Sequence, residues 1–204
     1  VKYIIDLDGV LAEFNRPFAK MIDGRDVLDY TSWPVKWDWP EEYTTTYKLA
    51  LAWEKVRSSA SFWETLPSFP WTREVLELLY HEEVMGHEVY FVTVRLGHDI
   101  KRQTERWLSN HGFKHPTVLV STHGDKSGIV HDLDADVMID DKPEFLLRAR
   151  EKGKDRLRLY IQVHPYNKDF AMHDAIKLNI LPIESPVTAV KSEYARRELY
   201  REAV

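Results

Sequence analysis

The chain of 204 residues contains no cysteine. That excludes disulfides, thiolate zinc sites and cysteine nucleophiles, and a cytoplasmic, reducing setting is expected. No apolar stretch approaches the ~20 residues a membrane helix needs, so no membrane partner is expected. Basic residues are in deficit. The 28 Lys and Arg stand against 33 Asp and Glu, a formal net charge of −5, which gives no reason to expect long nucleic acid or an anionic membrane as partner. Internal repeats and low-complexity runs are missing. His81, His87, His111, His115, His123, His131, His164 and His173 are scattered without metal-ligand spacing such as HxxxH, and read as surface or core residues. The first residues read as a core strand rather than a cleavable signal. What remains is 44% apolar and 30% charged, ordinary for a globular protein of one domain, or one domain with a sizeable insertion.

Nine residues near the N-terminus organise the rest: Tyr3-Ile4-Ile5-Asp6-Leu7-Asp8-Gly9-Val10-Leu11. The apolar run is short and β-branched, which favours a buried strand over a helix. Two acids follow, two positions apart, so they face the same way if strand geometry persists. Gly9 lets the chain turn and approach a ligand. Carboxylates at the end of a core strand are costly unless a cation or a task keeps them there.

Glu13 to Ile22 carries Phe14, Phe18, Met21 and Ile22 at helical spacing. Residues 24–40, interrupted by Gly24, Pro34 and Pro40, read as loop. Glu41 to Arg57 reads as one helix. Six of the seven tryptophans fall between positions 33 and 71. Residues 13–70 therefore read as a helical cap inserted into a core made of 1–12 and 71–204. Beyond it, helices over 71–85, 98–111 and 143–152 alternate with strands over 87–93, 117–120, 137–139 and 157–163, and the tail from Ser185 reads as helix. This alternation predicts an α/β, Rossmann-like parallel sheet with helices on both faces and a small helical cap after the first strand.

In such sheets ligands sit at the carboxyl ends of the strands. Asp6 and Asp8 end the first strand, Thr93 the second, and Asp140 and Asp141 a fourth; Lys126 lies in the loop or helix start after the third. Singly, each has a plain reading. Thr93 suits any strand, Lys126 any solvated surface, and Asp140-Asp141 any helix start. The ordered set is what points to a site.

DLDGVL at 6–11, VYFVTV at 89–94, GDKSG around Lys126 and VMIDD at 137–141 resemble, in order, the four motifs of the haloacid dehalogenase-like phosphohydrolases. AEF at 12–14, AWEK at 52–55, SFWETLPSFP at 61–70 and HPYN at 164–167 narrow the resemblance to the 5'(3')-deoxyribonucleotidases, over residues 1 to about 167. The resemblance implies a Mg²⁺-dependent phosphatase acting on a small phosphorylated substrate, a 5'- or 3'-nucleotide, under a helical cap.

A phosphate dianion repels an attacking carboxylate by ~4 kcal/mol per charge pair at ~4 Å and an effective dielectric of 20, so the site needs positive charge. Asp6 would attack phosphorus and form an aspartyl phosphate. Asp8 would protonate the leaving oxygen and then take a proton from water. The Thr93 hydroxyl, the Val94 N–H and Lys126 would hold the phosphoryl oxygens. By resemblance, Mg²⁺ is bound by the Asp6 carboxylate, the Asp8 carbonyl and the Asp141 carboxylate, with Asp140 behind them. Phe14 and Trp53 would stack on the base, joined by Trp37 or Trp39; the alternative for these rings, with Phe62 and Trp63, is packing inside a small helical unit.

The chain also departs from the family. Val94 stands where the nucleotidases carry serine, Gly97 and His98 near their lysine, and Gly124 at their arginine. Arg95 is expected to substitute in binding phosphate, with His98 and Lys101 as alternatives. Two other readings remain: the same chemistry on another small phosphate ester or a polynucleotide 3'-phosphate, and a phospho-accepting regulatory domain. The latter places its acid pair first and its accepting Asp mid-chain, and has no cap.

Overall fold

The computed structural model describes residues 1–24, 34–121, 124–152 and 155–202; Trp33, His123 and most of the expected 24–40 loop lie outside them. In chain order the elements are β1 (Lys2–Ile5), α1 (Asn15–Asp23), α2 (Trp39–Tyr43), α3 (Thr46–Ser58), α4 (Thr72–Val84), β2 (Glu88–Thr93), α5 (Ile100–Asn110), β3 (Thr117–Val120), α6 (Ser127–Asp132), β4 (Val137–Asp140), α7 (Pro143–Lys152), β5 (Arg158–Gln162), α8 (Lys168–His173), β6 (Ile180–Ile183) and α9 (Pro186–Glu202). Among the described residues six strands form one parallel sheet in the order β3-β2-β1-β4-β5-β6.

Strand alternation sorts the apolar side chains into two cores. Tyr3, Ile5, Phe91, Ile139 and Tyr160 face α4, α5 and α9, whose Leu76, Leu79, Trp107 and Val190 fill that side. Ile4, Val92, Met138, Leu159 and Ile161 face α6, α7 and α8 across Val130, Leu146 and Ala171. Buried on both faces, the strands need no polar alternation, which is why the N-terminal run is continuously apolar.

The helical insertion leaves and re-enters at one place. Leu11 O accepts from the Phe69 N–H (3.1 Å) and the Thr72 hydroxyl (2.6 Å), and the Glu13 N–H donates to Pro67 O (2.8 Å). Its apolar residues Phe18, Ala52, Val56 and Trp63 belong to the same cluster as Leu76 and Trp107. The insertion thus rests on one sheet face's core instead of closing a core of its own.

Three elements differ from the sequence expectations. The single helix over Glu41 to Arg57 is two, α2 and α3, and α2 begins at Trp39, inside the expected loop. Thr44 is extended, and the Thr45 side chain caps α3 by accepting the Lys48 N–H, so local hydroxyl bonding interrupts the helix. The short helix α8 and the edge strand β6 carried no clear period in the sequence. β6 contains Pro182, which reads against a strand. The Val163 N–H donates to Ile183 O, so Pro182, one position back, turns its missing donor toward the open edge.

The last helix is fastened by two buried tyrosine–glutamate–arginine groups. Arg197 donates to Tyr3 Oη (2.8 Å) and to Glu82 (2.5 Å), while Tyr3 donates to Glu82 (2.7 Å). Glu193 accepts from Arg158 (2.6 Å) and Tyr160 (2.7 Å). Burial first, then the neighbouring Glu82 and Glu193, hold both phenols protonated well beyond the ordinary tyrosine range. Their contribution to stability is complete below about pH 10 and is lost as pH rises beyond it, because the folded state retains protons the unfolded chain releases. Urea unfolding from pH 8 to 11 is expected to show this fall, and Tyr160→Phe to reduce it. Glu193→Ala, which strands part of a buried charge pair, is expected to cost about 3 kcal/mol at pH 7.

Candidate active site

The carboxyl ends of β1 and β4 adjoin at the point where the strand order reverses, so a crevice opens there. The Asp6 N–H donates to Ile139 O (3.0 Å), carrying the β1–β4 pairing one residue past the strand. Asp6 Oδ1 accepts from the Leu7 N–H (2.7 Å) and lies 2.7 Å from Lys126 Nζ. Lys126 also donates to Asp140 Oδ2 (2.8 Å), and Asp140 Oδ1 takes the Lys142 N–H (2.9 Å). Lys126 is only 1% exposed, so its ammonium rests almost entirely on these carboxylates.

Asp141 is held by one loop. The Tyr166 hydroxyl donates to Asp141 Oδ2, and Asn167 Nδ2 donates to Asp141 O (2.7 Å) and Gln162 O (2.8 Å). His164 Nε2 donates to Gly9 O (2.5 Å). A carbonyl only accepts, so this nitrogen carries the proton, and burial keeps the imidazole pKa below the ordinary histidine range. Gly9 has φ +85°, and a Cβ there would stand 2.1 Å from Asp141 Oδ2. Glycine is thus required twice, by conformation and by contact.

Asp6, Asp140 and Asp141 each offer an oxygen within 4.8 Å of the others. Three ionised carboxylates against one ammonium would leave two negative charges in a buried site. Burial therefore pushes the Asp6 carboxyl up to about 7, with Asp140 and Asp8 adding to the effect and Lys126 opposing it. Burial and Asp140 likewise raise Asp141 well above the carboxylate range. Burial works against the charge of Lys126, but Asp140 and Asp6 outweigh it and hold its pKa above the ordinary lysine range. Both Asp140 oxygens are engaged, whereas Asp141 Oδ1 is buried and without a partner among the described residues, as is Thr93 Oγ1. The charge excess and the unpaired oxygen suit a hard divalent cation.

Asp8 stands apart from this cluster. Arg95 grips both its oxygens, Nε to Oδ2 at 2.9 Å and Nη2 to Oδ1 at 2.8 Å. The guanidinium is itself fixed by Thr104 Oγ1 (2.8 Å) and lies 4.9 Å from the Trp63 ring centroid.

A cleft of about 290 Å³ opens over these groups. Asp6, Asp8, Phe14, Trp53, Thr93, Val94, Arg95, Lys126 and Asp141 all line it, and Asp140 lies beneath, bonded to Lys126. Phe14 lies near-parallel to Trp53 (5.8 Å, 20°) and Trp63 (5.7 Å, 18°), so packing within the insertion and walling the cleft are done by the same rings. Trp37 and Trp39 both line the cleft, but His98 and Lys101 do not. Sequence reasoning gave no role to Tyr166, Asn167 or His164, although the HPYN motif marked them. It also passed over Lys142 and Phe145, for which the sequence offered no signal.

No family model and no curated protein matches the sequence. Solved structures do share the fold. One is a candidate beta-phosphoglucomutase from Thermotoga maritima, with TM-score 0.56 and 16% identity over 95% of this chain and 98% of that one. Another is a candidate haloacid dehalogenase-like hydrolase from Burkholderia xenovorans, with TM-score 0.59 and 14% identity over 93% and 94%.

A ligand that binds only the folded state raises its stability, by about 2.7 kcal/mol at a hundred times Kd. The melting temperature is expected to rise with added MgCl₂, and Asp141→Asn and Gly9→Ala to remove that rise. A Mg²⁺-dependent rise that survives in Asp141→Asn would take this carboxylate out of the ion site.

Proposed function

We propose that the protein is a Mg²⁺-dependent phosphomonoesterase that hydrolyses 5'- or 3'-nucleotides through an aspartyl-phosphate intermediate, with residues 13–70 as the cap over its site. The observation that carries this reading is the meeting of Asp6, Asp140, Asp141 and Lys126 at one sheet edge, below a cleft walled by aromatic rings.

Asp6 attacks phosphorus, and the bond to the leaving oxygen breaks as Asp8, with one oxygen released from Arg95 and protonated in the substrate complex, gives that oxygen its proton. Asp8 then takes a proton from the water that attacks the phosphoenzyme, which releases phosphate and restores Asp6. Arg95 orients the Asp8 carboxylate. Lys126, the Thr93 hydroxyl and the Val94 N–H bind the phosphoryl oxygens, where charge builds in the transition state. Asp6 and Asp141, with the Asp8 carbonyl, would hold Mg²⁺, which when bound neutralises charge on the phosphate and its attacker. The unpaired Asp141 oxygen supports this assignment, and the two engaged oxygens of Asp140 suit a supporting role. Phe14 and Trp53 would stack on the base, each such contact being worth ~1–3 kcal/mol.

The phospho-accepting regulatory alternative is less well supported. Receiver domains of the flavodoxin-like type order their strands 2-1-3-4-5, whereas this sheet runs β3-β2-β1-β4-β5-β6.

Phosphate release is expected from deoxy- and ribonucleoside 5'- and 3'-monophosphates with Mg²⁺ and not without it. Asp6→Asn is expected to lose roughly four or more orders of magnitude in kcat. Substantial turnover by that variant would remove Asp6 as nucleophile. Hydrolysis of sugar phosphates with none of the nucleotides would remove the substrate assignment and leave the chemistry.

A further inference from the structure

We infer that Lys142 forms a second anion subsite, selecting substrates with a further phosphate one sugar ring away from the ester that is cleaved. The inference rests on the phosphomonoesterase reading above and not on the identity of the base.

Four cationic side chains line the cleft among the described residues: Lys36, Arg95, Lys126 and Lys142. Three have carboxylate partners. Lys36 pairs with Glu42 at 2.6 Å, Arg95 with Asp8 at 2.8 Å, and Lys126 with Asp6 and Asp140 at 2.7 and 2.8 Å. The Lys142 ammonium has no hydrogen bond or ion pair among the described residues. It lies 4.7 Å from the Trp37 ring centroid and 4.9 Å from that of Phe145. It is the backbone N–H of Lys142, not the side chain, that serves Asp140.

Two aromatic faces hold the ammonium in place without neutralising it. A cation so placed at the wall of a substrate cleft has its charge available for an anion, and a phosphate oxygen is a stronger partner than a ring. The span is also suitable. Lys126 Nζ and Lys142 Nζ each lie 4.9 Å from the Phe145 centroid, so they are at most twice that distance apart. With one phosphoryl group at Lys126, a second phosphate across a furanose ring falls within reach of Lys142. A nucleoside 3',5'-bisphosphate is the smallest nucleotide with this arrangement.

The test compares kcat/KM for a deoxynucleoside 3',5'-bisphosphate with its 3'- and 5'-monophosphates, and for a sugar bisphosphate with its monophosphate. The proteins are wild type, Lys142→Met and Lys142→Arg. Wild type is expected to favour the bisphosphates about tenfold, equivalent to 1.4 kcal/mol, mainly through KM, with the ratio shrinking as salt is added. Lys142→Met is expected to bring the ratio near one, and Lys142→Arg to retain it. A wild-type ratio near one overturns the inference, as does a ratio that survives in Lys142→Met. Equal losses on mono- and bisphosphates would place Lys142 on the transferred group and overturn it too. A preference kept by the sugar pair while nucleotides go unhydrolysed would sink the nucleotide reading and leave the subsite standing. Calorimetric titration of Asp6→Asn with each pair reads the same ratio without turnover, and equal or undetectable binding of both members overturns the inference.

Discussion

One buried ammonium sets the terms for the rest of the site. Lys126 joins Asp6, at the end of β1, to Asp140, at the end of β4, and 1% of it reaches solvent. Desolvating either sign alone would cost several kcal/mol, so the lysine and the acids are tolerable only together. The loop after β3 must deliver Lys126 to a point between two other strand ends, and that delivery draws three separate crossovers into one geometry. Even so the charges do not balance: burial first, and the neighbouring carboxylates after it, raise the pKa values of Asp6 and Asp141. Such an imbalance of buried charge suits a further cation and marks the cluster as a candidate site.

Around that pair the support is distributed. The 164–167 loop holds Asp141 by its side chain and its carbonyl, and holds the Gly9 turn by its carbonyl. Separately, Thr104 and Trp63 fix Arg95, and Arg95 fixes Asp8. The two acids two positions apart are thus sent to different partners: Asp6 to the lysine and the acid cluster, Asp8 to an arginine. Unequal surroundings for neighbouring carboxyl groups are the usual means of giving them different work.

The insertion joins packing to the wall of the cleft. Phe18, Ala52 and Val56 add to the core on the α4 side, while Phe14, stacked with both Trp53 and Trp63, lines the cleft with them. The Trp63 indole donates to Leu96 O (3.0 Å), and the His98 N–H to Arg57 O (3.1 Å), so the insertion also grips the loop that carries Arg95.

The parallel sheet, its flanking helices and the strand ends that meet at the site were legible in the sequence, because each is written locally. An apolar run followed by acids or a threonine states both where a strand lies and where it stops. The edge strand with Pro182 and the split between α2 and α3 were not, since an open sheet edge and a threonine cap override the periodic signal. Residue chemistry by itself determined that acids, a lysine and a hydroxyl would gather at one edge. Only the tertiary structure decided the pairings: Arg95 with Asp8, Tyr166 with Asp141, and Lys142 held between two rings with no acid partner among the described residues. Such pairings depend on approaches of a few ångströms between segments far apart along the chain, and no local pattern encodes those distances.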